Sequence, residues 1–257
     1  MTSAENTKTA AILVIGDEIL SGRTKDKNIG WIAEQLNQMG IDLCEARVIA
    51  DDKDTIIRHV KTLSDTYDYV FTSGGIGPTH DDITTQSIAE AFNKSVIRHP
   101  EAVRRLLKHY EGTDIPFNEA RQKMADIPED ADLIDNPVSA APGFILHNVY
   151  VMAGVPSIMQ SMFEGLKDQL EGGQKKCRLT VQCAIGEGTI ATIMASVSDA
   201  FDGLSVGSYP WFKPGQFGTA VVVSSKNRDD VFQAAEMVAK LVREDGYEAT
   251  ILDEGQD

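Results

Sequence analysis

The sequence predicts an α/β fold with a mostly parallel sheet, followed by a small α+β domain of ferredoxin-like element order. Three observations carry this reading. Short apolar runs alternate with amphipathic segments of about a dozen residues through the first two thirds of the chain, which implies right-handed βαβ crossovers. The order of elements then changes after the turn-rich Glu171-Gly172-Gly173-Gln174. Finally, 42% hydrophobic and 25% charged residues over 257 positions suit a globular chain and exclude a disordered or collagenous one.

The elements follow in order. Ala10–Ile15 is a continuous apolar run, as in a strand buried on both faces, and Gly16 ends it. Asn28 reads as the cap of a helix with Ile29, Ile32, Leu36 and Met39 on one side and Gly40 as its stop. A second strand spans 41–50, and Asp54 reads as the cap of a helix with Ile56, Ile57, Val60 and Leu63 inward. Asp68–Ser73 is a third buried strand, broken by Gly74-Gly75-Ile76-Gly77-Pro78, and a helix resumes near Thr84. The middle is less regular. Helices are expected after His99-Pro100 and over 118–125, with strands at 133–134 and 144–152 around a turn-rich NPVSAAPG, then a helix from Pro156 through Leu170. Beyond the linker, strand 176–185, helix 189–201, strands 204–211 and 218–224, helix 229–244 and strand 248–252 form the split βαβ order. Domains of residues 8–171 and 175–257 follow.

Charge narrows the partners. Lys and Arg number 24 against 39 Asp and Glu, a net −15 shared by two acidic halves, with no basic cluster. A reader of nucleic-acid backbone carries a basic stripe, so no nucleic-acid partner is expected. An acidic chain can still hold a phosphate if backbone amides or a metal ion supply the positive field. No apolar run approaches the ~18 residues of a membrane span. The opening MTSAENTKTA lacks the features of an export signal, so a cytoplasmic protein is expected. Cys44, Cys177 and Cys183 show no metal-binding spacing and read as buried, reduced thiols.

In an open parallel sheet, ligands bind beyond the carboxyl ends of the strands. The first strand delivers Gly16, Asp17 and Glu18 there, the second Asp51 and Asp52, and the third Thr72 through Thr84. Glycines at 74, 75 and 77 let successive amides converge on an anion, and the following helix start adds free N–H groups. The plain alternative is a tight strand-to-helix turn with Asp81 or Asp82 as cap. Neither a Walker A loop nor a dinucleotide fingerprint is present. Among the loop acids, Asp51 and Asp82 are selected as catalytic and metal-binding, with Asp81 as a further candidate ligand for Mg²⁺, Mn²⁺ or Co²⁺. Ser73, Thr79 and Thr84 are expected to hydrogen-bond phosphate oxygens, and His80 is the one histidine worth testing. Alanine at Gly75 is expected to weaken pyrophosphate binding more than it lowers the melting temperature.

These residues resemble a known family. VIGDEILSG (14–22), the Asn28 helix start, VIADD (48–52), FTSGGIGPTHDDIT (71–84) and MAGVPSIM (152–159) are similar to the molybdopterin-binding domain of MoaB/MogA-type proteins. They are closer to the amino-terminal domain of the competence/damage-inducible CinA proteins, and the same domain is joined to FAD synthases. The likeness covers about residues 10–170, and residues 175–257 resemble the small domain that follows in CinA-like chains. It implies a three-layer αβα sandwich whose Gly-Gly loop and nearby acids hold a pterin or nucleotide phosphate. By position the essential loop aspartate falls on Asp82 and the strand-two aspartate on Asp51. Thr72, Ser73, Gly74, Gly75, Ile76, Gly77, Pro78, Thr79 and Thr84, with Gly16, Asp17 and Glu18, form the implied ligand side. Gly154, Pro156 and Ser157 match its later turn. The chain departs from the pattern in having Ala153 where proline is usual and Asp52 where asparagine is commoner. The implied activity is divalent-metal hydrolysis of a nucleotide pyrophosphate such as ADP-ribose or FAD. The alternatives are molybdopterin binding or adenylylation, a non-catalytic molybdopterin or nucleotide carrier, and a scaffold whose small second domain is the interaction module. The expected partner is a small nucleotide or pterin phosphate, without a membrane, and the assembly a homo-oligomer. The amidohydrolase domain of full-length CinA proteins has no counterpart in these residues, so its activity is not carried over.

Overall fold

A computed structural model describes residues 7–252. Residues 1–6, on which the expectation about export partly rests, lie outside the described residues, as do 253–257. The chain forms two compact units that divide between Gly173 and Gln174.

The first unit is an αβα sandwich. Its sheet contains β1 (Lys8–Ile15), β2 (Ile41–Ile49), β3 (Tyr69–Ser73), β6 (Asp132–Ile134), β7 (Gly143–Leu146) and β8 (Val149–Met152), in the order β2-β1-β3-β8-β7-β6. The first four run parallel, and β7 is antiparallel to both neighbours. The alternation of side chains along a strand sorts β1 between two cores. Ala11, Leu13 and Ile15 pack with Ile56, Val60 and Leu63 of α3 (Lys53–Thr66), Ile88 of α4 (Thr84–Ala91) and Leu106 of α5 (Pro100–Tyr110). Ala10, Ile12 and Val14 pack on the opposite face with Ile32 and Leu36 of α2 (Asn28–Gln38) and Met159, Met162 and Phe163 of α7 (Pro156–Leu166). A polar substitution on β1 would therefore leave an unpaired group in one core or the other.

Several local expectations are corrected. Residues 144–152 are a tight hairpin instead of one strand, turning at His147, which adopts φ 56°. Asn28 is the first residue of α2 and does not cap it; Asp26 accepts from the Ile29 N–H. Asp52, not Asp54, caps α3 by accepting from Thr55 N–H at 2.9 Å. The last helix of the unit ends at Leu166 and continues as a 3₁₀ turn over Lys167–Gln169. The four-residue α1 (Asp17–Leu20) and the antiparallel pair β4 (Val96–Arg98) and β5 (Asp126–Pro128) were not expected. The helix expected over 118–125 is the shorter α6 (Glu119–Lys123), with Asn118 as its cap.

The second unit has the ferredoxin-like layout. Its antiparallel sheet, ordered β10-β11-β9-β12, comprises β9 (Cys177–Cys183), β10 (Ser205–Lys213), β11 (Gln216–Ser225) and β12 (Ala249–Leu252). Leu179, Val181, Val221 and Val223 face α8 (Glu187–Ala200) and α9 (Arg228–Glu244). All three cysteines are unpaired; Cys183 is buried, which pushes its thiol up to about 11, whereas Cys44 is exposed, contrary to expectation. Among the described residues no helix is long and apolar enough to cross a membrane.

Candidate functional site

The parallel strands β1, β3 and β8 end side by side, and the chain turns out of all three through glycine or a small residue. A Cβ at Gly74 (φ +113°) would lie 2.1 Å from the Ile15 carbonyl oxygen, and one at Gly154 would lie 3.2 Å from the Gly74 Cα. No other residue type fits Gly74 without moving backbone. Asn28 holds this junction together. Its buried side-chain amide donates to Ser73 Oγ at 2.7 Å and to the Gly154 carbonyl at 2.9 Å, tying α2 to the ends of β3 and β8. Asn28→Ala should therefore cost about 1–3 kcal/mol in a denaturant titration, because the buried Ser73 hydroxyl loses its donor.

A cleft of about 520 Å³ opens above this junction. Its lining combines Gly16, Glu18, Asp51, the Gly74–Pro78 turn, Asp81 and Asp82 with the apolar side chains of Met124, Ala141, Ala153, Val155 and Ile158. Asn136 shapes one part of this lining. Its side chain accepts from Val138 and Ser139 N–H and donates to Ser139 Oγ and the Ala141 carbonyl, closing the 136–141 turn on itself.

The cleft also presents unpaired donors. Within the described residues the backbone N–H groups of Gly75, Ile76 and Gly77 have no acceptor. α1 and α7, whose N-cap residues Gly16 and Val155 line the cleft, and α4, which follows Asp82 closely, have no side-chain cap, as is also true at the N-cap residues of α2 and α8. By contrast α3, α5 and α6 are capped by Asp52, His99 and Asn118. Uncapped starts leave partial positive charge and N–H groups for an anion. The reading of Asp81 or Asp82 as a helix cap is thus not what the structure adopts.

Four carboxylates and no Lys, Arg or His line the cleft. Asp51 accepts from the Asp17 backbone N–H at 2.9 Å. Burial pushes its carboxyl above the ordinary value against that hydrogen bond, and the nearby charges of Asp17, Glu18 and Asp81 push the same way. Hydrogen bonding from Thr79 chiefly, then from its own backbone N–H, with smaller contributions from His80 and last from the Lys123 charge, holds the Asp81 carboxyl below its usual range. The Asp82 carboxylate accepts from Thr79 N–H at 2.8 Å and Thr79 Oγ at 2.6 Å.

The structure gathers only part of the residues selected from sequence. Gly16, Glu18, Asp51, Gly74, Gly75, Ile76, Gly77, Pro78, Asp81, Asp82, Gly154 and Pro156 line the cleft. Asp17 contributes its backbone N–H to Asp51, and Asp52 is spent on its helix. Thr72, Ser73 and Thr84 are fully buried, so they support the turn from below; Thr79 braces Asp82, and neither Ser157 nor His80 lines the cleft. Asn28 and Lys123, which hold the site's two turns, escaped notice because their partners are remote in sequence.

Glycine substitutions separate fold from site. Gly75 has φ +70°, and its Cβ would sit 2.0 Å from Thr84 Oγ, so Gly75→Ala strains the fold, which corrects the sequence-based expectation. Gly77 is not left-handed, and the nearest atoms to its Cβ would be those of the Asp82 carboxylate, at 2.6 Å. Gly74→Ala should lower stability by about 2 kcal/mol or more. Gly77→Ala should instead displace Asp82 and weaken ligand binding with little change in melting temperature, as thermal melts and ligand titration can check.

Fold and cleft together define an α/β sandwich with a cleft built on a glycine-rich turn at the ends of its parallel strands. The family described as "Probable molybdopterin binding domain" matches residues 11–172, and "FAD synthase, middle domain" matches 175–250. The chain belongs to the molybdopterin-binding-domain family. It is 34% identical over 246 residues to a "Probable FAD synthase" of Caenorhabditis elegans, covering 86% of this chain and 47% of that protein. The chain thus spans about half the length of that relative. A protein of Archaeoglobus fulgidus is 32% identical over 233 residues, covering 91% of this chain and 97% of its own. The crystal structure of CinA, a protein of unknown function from Thermoplasma acidophilum, is 32% identical with a TM-score of 0.59, covering 64% of this chain and 98% of that one.

Proposed function

We propose that this chain is a divalent-metal-dependent nucleotide pyrophosphatase acting on an FAD- or ADP-ribose-type substrate. The observation that carries this is the mixed lining of the cleft. Unpaired glycine amides and carboxylates share it with apolar side chains suited to packing on a planar ring. Four carboxylates beside a pyrophosphate repel it, so a cation is needed to hold it there. Among the described residues no cluster of three or more His, Cys, Asp or Glu could hold a metal ion unaided. The donor set fits Mg²⁺ or Mn²⁺, which take one or two carboxylates and complete their shell with phosphate oxygens and water. Asp51 and Asp82 would hold the ion, and when bound it neutralises phosphate charge and lowers the pKa of water. The chain's own share is to seat one phosphate on the Gly75–Gly77 amides and the ring against Val155 and Ile158. Water then adds across the P–O–P bridge to leave two monophosphates.

Similarity to FAD synthases favours FAD over ADP-ribose within this class. The second reading, supported by the description of the matched family, is molybdopterin binding or its adenylylation. A panel of FAD, ADP-ribose, NAD⁺ and molybdopterin with Mg²⁺, Mn²⁺ or Co²⁺ separates the two. FMN and AMP from FAD are expected only with metal. Saturable molybdopterin binding without hydrolysis of any dinucleotide would favour the second reading.

A further inference from the structure

Lys123 stands apart from the rest of the cleft's surroundings. It ends α6, whose start is fixed by Asn118 accepting from Arg121 N–H at 3.1 Å and by Arg121 donating to the Pro116 carbonyl at 2.8 Å. Just beyond it, the buried Ala125 accepts from His99 N–H at 2.8 Å through its carbonyl, and β5 begins. The lysine backbone is therefore anchored on both sides. Its ammonium reaches back more than forty residues to donate to two main-chain carbonyls of one turn, those of Thr79 and Asp82, the latter at 2.9 Å. The same turn is closed from within by the Asp82 carboxylate on Thr79 N–H and Oγ. Thr79, His80 and Asp81 are otherwise exposed, so Lys123 is the strut that joins this turn to the scaffold.

We propose that Lys123 is a positioning residue that fixes the Thr79–Asp82 turn so that the Asp82 carboxylate is presented to a divalent cation. The inference deepens the metal-dependent reading above and rests on it. It also makes a prediction of sign. A lysine acting only through its charge opposes a cation nearby, and its charge already reaches Asp81. Removing it would then tighten metal binding. A lysine acting through its two carbonyl bonds organises the carboxylate, and removing it weakens metal binding.

The test is Mn²⁺ titration into the intact chain, followed by calorimetry and by the electron paramagnetic resonance of free Mn²⁺. Wild type, Lys123→Met, the milder Lys123→Gln, Lys123→Arg and Asp82→Asn are compared, each with its melting temperature. Lys123→Met should raise the Mn²⁺ Kd about tenfold, the lower end of what loss of a supporting partner costs a metal site. Lys123→Gln should fall between, and Lys123→Arg should restore most of the affinity, since a guanidinium can donate to both carbonyls. Unchanged or tighter Mn²⁺ binding in Lys123→Met and Lys123→Gln overturns the inference while leaving the metal reading standing. Failure of wild type to bind Mn²⁺ overturns both. If Lys123→Met does not fold, Lys123→Gln decides by the same sign.

Discussion

Asp82→Asn should abolish most turnover while leaving the fold in place. Loss of a supporting partner costs a metal site about 10–100-fold, so loss of a direct ligand should cost about a hundredfold or more in kcat/KM. Stability should barely move, because an asparagine carbonyl can still accept from Thr79 and the residue caps no helix. Steady-state hydrolysis of FAD with saturating Mg²⁺, set beside a thermal melt, reads both quantities. A variant with wild-type kcat/KM would return Asp82 to the role of a turn brace.

Asp51→Asn should lose activity and gain stability in the metal-free protein. Burial, opposed by the Asp17 N–H and assisted by neighbouring acids, raises the Asp51 carboxyl above its ordinary value. A raised carboxyl means that the folded state binds its proton more tightly than the unfolded chain does. Its contribution to stability therefore declines as pH climbs from the ordinary carboxyl range through the raised value, and above that the ionised group is a net cost. Asparagine removes that cost. In chelator at pH 7 the variant should melt higher than wild type, and the gap should close as the pH is lowered toward 4. Mg²⁺ should raise the melting temperature of wild type and leave the variant unmoved. A lower melting temperature for Asp51→Asn across this range would show that its bond to Asp17 outweighs the burial of charge.

Much of this architecture is legible in local pattern. The apolar runs of β1 and β3 announce strands buried on both faces, and the burial of each β3 residue agrees. The hairpin at 144–152 hides because only His147-Asn148 interrupts its apolar residues, a turn that uses a left-handed histidine where glycine would have signalled it. The pair Val96–Arg98 with Asp126–Pro128 hides for another reason: three-residue strands carry no period, and their pairing spans about thirty residues. At the cleft, position at the strand ends was enough to pick out Asp51, Asp82 and the glycines. It could not separate hydroxyls that line a cleft from hydroxyls beneath it, so Thr72 and Thr84 were grouped with the exposed turn although both are buried. Asn28 looked like a helix cap because its residue type and place fit that role; its amide instead bonds across 45 and 126 positions.

The reversal of β7 has a consequence for how such a cleft can change. Because β7 runs against β8 and β6 against β7, the 135–142 connection returns to the same rim as the ends of β1 and β3. It hangs from the outermost strand of the sheet, braced by the internal hydrogen bonds of Asn136 and by the Arg105 guanidinium on Asp135 at 3.2 Å. The Gly74 turn is fixed where it lies, because its backbone packs against the Ile15 carbonyl. The 135–142 connection, which lends Asn136, Ser139 and Ala141 to the cleft, can grow, shrink or change its side chains while that turn stays in place. One wall of the cleft can therefore diversify by editing a single connection, with the parallel core inherited unchanged.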